Sequence, residues 1–74
     1  MDKFISIIIP SYNEEKMIKK KYETISTVLI NASINFELIF VNDGSQDKTW
    51  REIKQISDSD KRVRGVSFSK NFGK

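Results

Sequence analysis

Two apolar runs, about 30 residues apart, constrain this chain most. Phe4-Ile5-Ser6-Ile7-Ile8-Ile9 and Phe36-Glu37-Leu38-Ile39-Phe40-Val41 are short, rich in β-branched and aromatic residues, and almost continuous in their apolarity. Such runs read as strands of a parallel sheet, where covering elements remove the need for a strict polar alternation. Pro10 follows the first run and is expected to end it, because proline cannot donate to a central ladder.

Between the runs the period changes. Ile18, Tyr22, Ile25 and Leu29 recur in steps of four, three and four, with Val28 and Ala32 beside them, which describes one face of a helix. Lys16, Lys19, Lys20, Lys21 and Glu23 fall on the other side and read as a solvated face. Clustered lysines would also suit anionic headgroups. Asn13 is the expected N-cap, with Glu14 and Glu15 in the first turn, and the helix fades at Asn31-Ala32-Ser33. After the second strand, Ser45 or Asp47 is expected to cap a second helix whose stripe is Trp50, Ile53 and Ile56. Core packing is the expected role of Tyr22 and Trp50. Asp58-Ser59-Asp60-Lys61 ends this helix as a solvated loop. Val63 to Phe68 reads as a third, more alternating strand, and Ser69 to Lys74 as a polar loop.

The order β-α-β-α-β implies a parallel sheet with right-handed crossovers. Both helices then lie on one face, the strand order is 3-2-1, and the other face is left bare. With 74 residues, one small domain at most is possible. The bare face predicts that this is a truncated half of a larger α/β domain, prone to self-association through that face.

Composition removes several chemistries. There is no cysteine, hence no disulfide or thiolate metal site. Nor is there histidine, the commonest general base and metal ligand. The net charge of +3 is uneven: residues 61–74 carry five bases and no acid, while the remaining 60 carry eight bases against ten acids. A basic end suits a phosphate-bearing partner. No signal peptide or run of about 18 apolar residues is visible, so a cytoplasmic location is expected.

In open α/β sheets ligands bind beyond the carboxyl ends of the strands. Three loops gather there: Pro10 to Glu14, Asn42 to Asp47, and Ser69 to Lys74. Neither a G-x-G-x-x-G nor a G-x-x-x-x-G-K-[ST] pattern occurs, which disfavours Walker-type phosphate binding. Instead Tyr12 can stack on a base or pack on Pro10. Glu14 can meet a ligand or compensate a helix dipole. Asp43 can accept from a ring N–H or a ribose hydroxyl, or simply sit in a turn, and Gly44 permits positive φ in either case. Composition alone favours the turn. Lys70 and Lys74 can meet a diphosphate or solvent. Asp47 reads as a cap rather than a ligand.

Three segments together, Ile7 to Glu15, Glu37 to Thr49 and Phe68 to Lys74, resemble the N-terminal part of family-2 glycosyltransferases of the GT-A nucleotide-sugar fold. The similarity is closest to the polyprenyl-phosphate sugar transferases, such as dolichyl-phosphate mannose and bactoprenol glucose enzymes. The resemblance implies that residues 1–74 are the nucleotide-binding portion of an inverting transferase. Its donor would be a UDP- or GDP-sugar and its acceptor polyprenyl phosphate, at the cytoplasmic face of the membrane, with no nucleic-acid partner. It implies nucleotide-sugar contacts at Pro10, Tyr12, Glu14, Asp43, Gly44, Asn71, Gly73 and Lys74. Asn42 stands where many relatives carry aspartate, and Lys70 where arginine is more usual. It also implies Mg²⁺ or Mn²⁺ in the complete enzyme, held by ligands beyond residue 74, so that no catalytic or metal-binding residue is expected within this chain and the isolated chain is expected to be inactive. Asp58-Ser59-Asp60 matches the family's metal-binding D-x-D by letters alone. Without the resemblance, a non-catalytic α/β binding module, including a nucleotide-free response-regulator-like domain, is the competing expectation.

Overall fold

A computed structural model of the chain describes residues 3–68. The elements run β1 (Phe4–Ser11), α1 (Ile18–Asn31), β2 (Asn35–Asp43), α2 (Thr49–Ser59) and β3 (Val63–Phe68). All three strands are parallel, and β2 is central in the order β1-β2-β3, as the strand–helix alternation predicts.

Alternation along β2 sorts its residues cleanly. Phe36, Leu38, Phe40 and Asn42 are buried beneath the helices, while Glu37, Ile39 and Val41 between them are only partly covered. Register extends this sorting across the sheet. Ile9 pairs with Phe40 and Phe40 with Gly65, whereas Ile8 pairs with Ile39 and Ile39 with Arg64 on the opposite face. The core is formed where Ile18 and Leu29 of α1, with Ile53 and Ile56 of α2, meet Phe36, Leu38, Phe40 and Val63. Each fully buried side chain of this kind contributes about 1.5–3 kcal/mol. Gly65 supplies a gap that a helix fills: a Cβ there would lie 2.7 Å from Ile53 Cγ2 and 3.0 Å from the Trp50 ring.

The opposite sheet face is open among the described residues. Phe4 and Ile8 are 63% and 64% exposed, and Val66 and Phe68 are exposed beside them. This is the bare face that the two same-sided crossovers require.

Several local expectations change. The first strand runs through Pro10 to Ser11 instead of stopping at the proline. β1 is an edge strand, where a missing donor is tolerated. Helix α1 begins four residues later than an Asn13 cap would place it. Met17 occupies the cap without a side-chain bond, and no acid lies in the first turn. The backbone N–H groups of residues 13–15 are taken instead by side chains from across the rim, so that stretch becomes a turn. Val28 and Ala32 are exposed and do not join the buried face.

Helix α1 closes with a Schellman arrangement. The Ile34 N–H donates to the Leu29 carbonyl and the Ser33 N–H to that of Ile30, each at 3.0 Å, with Ser33 left-handed at φ 58°. A non-glycine residue there costs about 1–2 kcal/mol, partly offset by the greater entropy glycine loses on folding. Ser33→Gly is therefore expected to stabilise the fold by about 0.5 kcal/mol. The measurement is the urea midpoint at unchanged m value; a lower midpoint would contradict it.

Candidate functional site

The carboxyl ends of β1 and β2 lie side by side, with Ser11 opposite Asn42. One residue further along each chain stand Tyr12 and Asp43, both exposed. Adjacent strands are about 4.8 Å apart, so the ring and the carboxylate emerge from neighbouring positions on one rim. No side-chain hydrogen bond among the described residues engages the Asp43 carboxylate. Behind it Gly44 turns the chain at φ 70°, a conformation that glycine adopts without steric cost. Pro10 lies one register step back on the open face, opposite Val41.

Asn42 points the other way. It is 4% exposed, and both ends of its amide are used: Nδ2 donates to Ser67 Oγ at 2.9 Å, and Oδ1 accepts from the Ser45 N–H at 3.2 Å. It thus ties the end of β2 to β3 and to its own turn. Sequence reasoning noted Asn42 only as a variation within a family. The signal that could have found its role is its place in the buried series 36, 38, 40, 42.

Five bonds join the two rim loops. The Asn13 N–H donates to Ser45 Oγ (2.9 Å), and Asn13 Oδ1 accepts from the Gln46 N–H (2.8 Å). The Glu14 N–H donates to Thr49 Oγ1 (2.7 Å) and the Glu15 N–H to Asp47 Oδ2 (3.2 Å). In return the Lys48 N–H donates to Glu15 Oε1 (3.0 Å). The bridging roles of Ser45 and Thr49 carried no signal in the sequence, because both partners are 32 or more residues apart. An open depression of about 410 Å³ lies over this seam, lined by Asn13, Glu14, Glu15, Lys16, Met17 and Asp47.

The carboxylates of the seam are already engaged. Glu14 Oε1 holds Lys21 Nζ at 2.6 Å, which takes Lys21 out of the solvated lysine face, and Glu14 stands before α1 rather than in its first turn, so the helix-dipole expectation does not hold. Asp47 Oδ1 accepts from both the N–H and the hydroxyl of Thr49, the first residue of α2, but the N-cap itself is Lys48, which makes no side-chain cap bond, so neither Ser45 nor Asp47 holds the cap position expected of it. Partial desolvation pushes the Asp47 pKa up, but the bonds from Thr49 and the Glu15 N–H outweigh it and hold the carboxyl below its ordinary range. Among the described residues no group of three or more potential metal ligands gathers. The stretch Asp58-Ser59-Asp60 is not the solvated loop expected: Asp58 and Ser59 belong to α2, and Asp60 is tied to Tyr22 and Arg62 at the opposite rim. Tyr22 and Trp50 pack against the core, as their helical positions predict. Asn71, Gly73, Lys74 and Lys70 lie outside the described residues.

The glycosyl transferase family 2 model matches residues 6–74, nearly the whole chain. The chain belongs to glycosyl transferase family 2. Similar relatives include the "Uncharacterized glycosyltransferase YkcC" of Bacillus subtilis, 43% identical over 92% of this chain and 21% of that protein. The "Prophage bactoprenol glucosyl transferase homolog" of Escherichia coli is 40% identical over 95% of this chain and 23% of its own length. The "Bactoprenol glucosyl transferase" of Shigella phage SfV is 39% identical over the same shares. The chain thus spans less than a quarter of the length of the curated relatives it matches. The match includes both rim loops, so the joined Asn13 and Asp43 segments belong to the family-2 region. No described helix is long and apolar enough to cross a membrane.

Proposed function

We propose that residues 1–74 form the nucleotide-binding portion of an inverting family-2 glycosyltransferase. The observation that carries this reading is the Asp43 carboxylate, exposed at the end of the central strand, with Gly44 turning behind it and Tyr12 beside it. A carboxylate so placed accepts hydrogen bonds from a uracil or guanine ring N–H or from ribose hydroxyls, and a neighbouring aromatic ring offers a stacking face. Pro10 lines the approach from the open face, and Glu14 joins the site if Lys21 releases it. By the family resemblance Asn71, Gly73 and Lys74 add further nucleotide-sugar contacts, and Lys70 and Lys74 suit the diphosphate.

The donor is a UDP- or GDP-sugar. The names of the bactoprenol relatives support a polyprenyl phosphate acceptor, and hence work at the cytoplasmic face of a membrane. Mg²⁺ or Mn²⁺ would neutralise the leaving diphosphate in the complete enzyme. The described residues do not fit such an ion, since Glu14, Glu15 and Asp47 are bonded to Lys21, Lys48 and Thr49. On this reading the 74 residues alone do not turn over.

UDP and GDP titrated into the protein, followed by amide NMR, test the reading. Shifts are expected at Tyr12, Asp43 and Gly44 for one nucleotide in preference to the other. Asp43→Ala is expected to raise Kd at least about tenfold, the scale of a charge-assisted hydrogen bond. An Asp43→Ala protein with unchanged affinity would sink the assignment.

A further inference from the structure

Asn13 adopts φ 48°, one of two non-glycine residues at positive φ among those described. Such a conformation persists where surrounding contacts over-determine it, and it concentrates where geometry matters. Here both the backbone and the side chain of Asn13 are bonded to the opposite loop. Its N–H reaches Ser45 Oγ, and its Oδ1 receives the Gln46 N–H. The two bonds form a reciprocal bridge between residues that follow Tyr12 on one side and Gly44 on the other. Ser45 is fixed in turn, because its own N–H is held by the buried Asn42 amide.

We infer that the Asn13–Ser45 bridge is a positioning device that holds Tyr12 and Asp43 at a fixed separation for one ligand. The inference rests on the nucleotide-site reading above. Neither Asn13 nor Ser45 needs to touch the ligand. Asn13 follows Tyr12 directly, so its bonds fix the path of the backbone that carries the ring. Ser45 lies two residues after Asp43, so its bonds fix the turn that carries the carboxylate. Free rotation of either loop would leave the two recognition groups present but uncorrelated, and ordering them would then weaken binding. Asn13 suits the position because asparagine tolerates the left-handed region and its side chain can bond locally. The remaining seam bonds, through Thr49 and Asp47, brace the following residues and the start of α2.

The test compares variants by nucleotide affinity and by urea midpoint. Asn13→Gly keeps the backbone conformation accessible while deleting the Oδ1 acceptor. Ser45→Ala deletes the other acceptor, and Ser45→Thr retains a hydroxyl. With the preferred nucleotide of UDP and GDP, Asn13→Gly and Ser45→Ala are expected to bind about tenfold more weakly at an unchanged urea midpoint. Ser45→Thr should bind within about twofold of the parent protein. Equal affinity in Asn13→Gly and Ser45→Ala would overturn the positioning role. So would an affinity loss that only follows a fall in midpoint and is not restored by Ser45→Thr. Asp43→Ala separates the two levels: if it weakens binding while the bridge variants do not, the bridge fails and the nucleotide site stands. If the parent protein binds neither nucleotide, or Asp43→Ala binds as the parent does, the site reading falls and takes the bridge with it.

Discussion

Gly65→Val is expected to destabilise the fold by about 3 kcal/mol or more, near the upper end of the cost of overpacking a core. Gly65 lies in β3 opposite Phe40, under α2. A single Cβ would already stand 2.7 Å from Ile53 Cγ2 and 3.0 and 3.2 Å from two atoms of the Trp50 ring. Separations below 3.0 Å require movement. Ile53 is fully buried, so its methyl has no vacant space to enter. Valine adds two further methyls to this clash. Relief would require lifting α2 from the sheet and with it the Thr49 hydroxyl that receives the Glu14 N–H. A small domain has about 5–15 kcal/mol of total stability, often at the low end for this size. The loss is therefore expected to appear as a partly unfolded population by circular dichroism. Gly65→Ala should show the same direction at about 1–2 kcal/mol. A Gly65→Val protein with the parent midpoint would show that α2 packs less closely than described.

The second large effect concerns the opposite rim, where Asp60 accepts four hydrogen bonds from two residues. Its carboxylate accepts from Arg62 Nε and Nη2 at 3.0 and 2.9 Å, from the Arg62 backbone N–H at 2.9 Å and from Tyr22 Oη at 2.6 Å. Arg62 in turn lies over the Phe36 ring, 4.6 Å from its centre. The Asp60 side chain is 10% exposed and that of Arg62 44%. Removing the carboxylate leaves the Tyr22 hydroxyl without its acceptor, but the guanidinium can rehydrate. Asp60→Ala is accordingly expected to cost about 2 kcal/mol, below the 3–5 typical of a fully buried pair. The bonds from Arg62, opposed by desolvation and joined by the bond from Tyr22, hold the Asp60 carboxyl well below the ordinary carboxylate range. Asp60 raises the Tyr22 phenol in return, chiefly through their hydrogen bond. A folded-state pKa below the unfolded value adds stability at pH above about 4, lost as pH falls through the folded value. Denaturation midpoints should therefore fall from pH 5 to pH 2 more steeply in the parent than in Asp60→Ala. Parallel profiles would contradict the role given to this cluster.

Much of the architecture was legible because burial on one face imposes periods that short windows reveal. The steps from Ile18 to Leu29 and the run Phe36 to Val41 named their elements directly. What failed were the junctions. Asn13 followed by two glutamates has the composition of a helix start, yet its N–H groups bond to residues 32 to 35 positions away. Local chemistry cannot announce such partners. Asp60 was misread for the same reason, since its short polar segment resembles any solvated loop until Tyr22 arrives from α1. On the rim, Asp43 was distinguishable from its neighbours only by position and by resemblance. The division of labour between Asn42, buried and internally bonded, and Asp43, exposed, came from the strand's alternation.

That alternation ties evolvability of the site to the foldability of the strand. Asp43 reaches the rim because it stands an odd number of residues after Phe40, which is locked into the core. Inserting or deleting one residue between Phe40 and Gly44 would exchange inward and outward positions. A carboxylate would enter the packed side and an amide would replace it outside. The residue presented at this rim can therefore change by substitution at fixed positions, but not by a one-residue change of length.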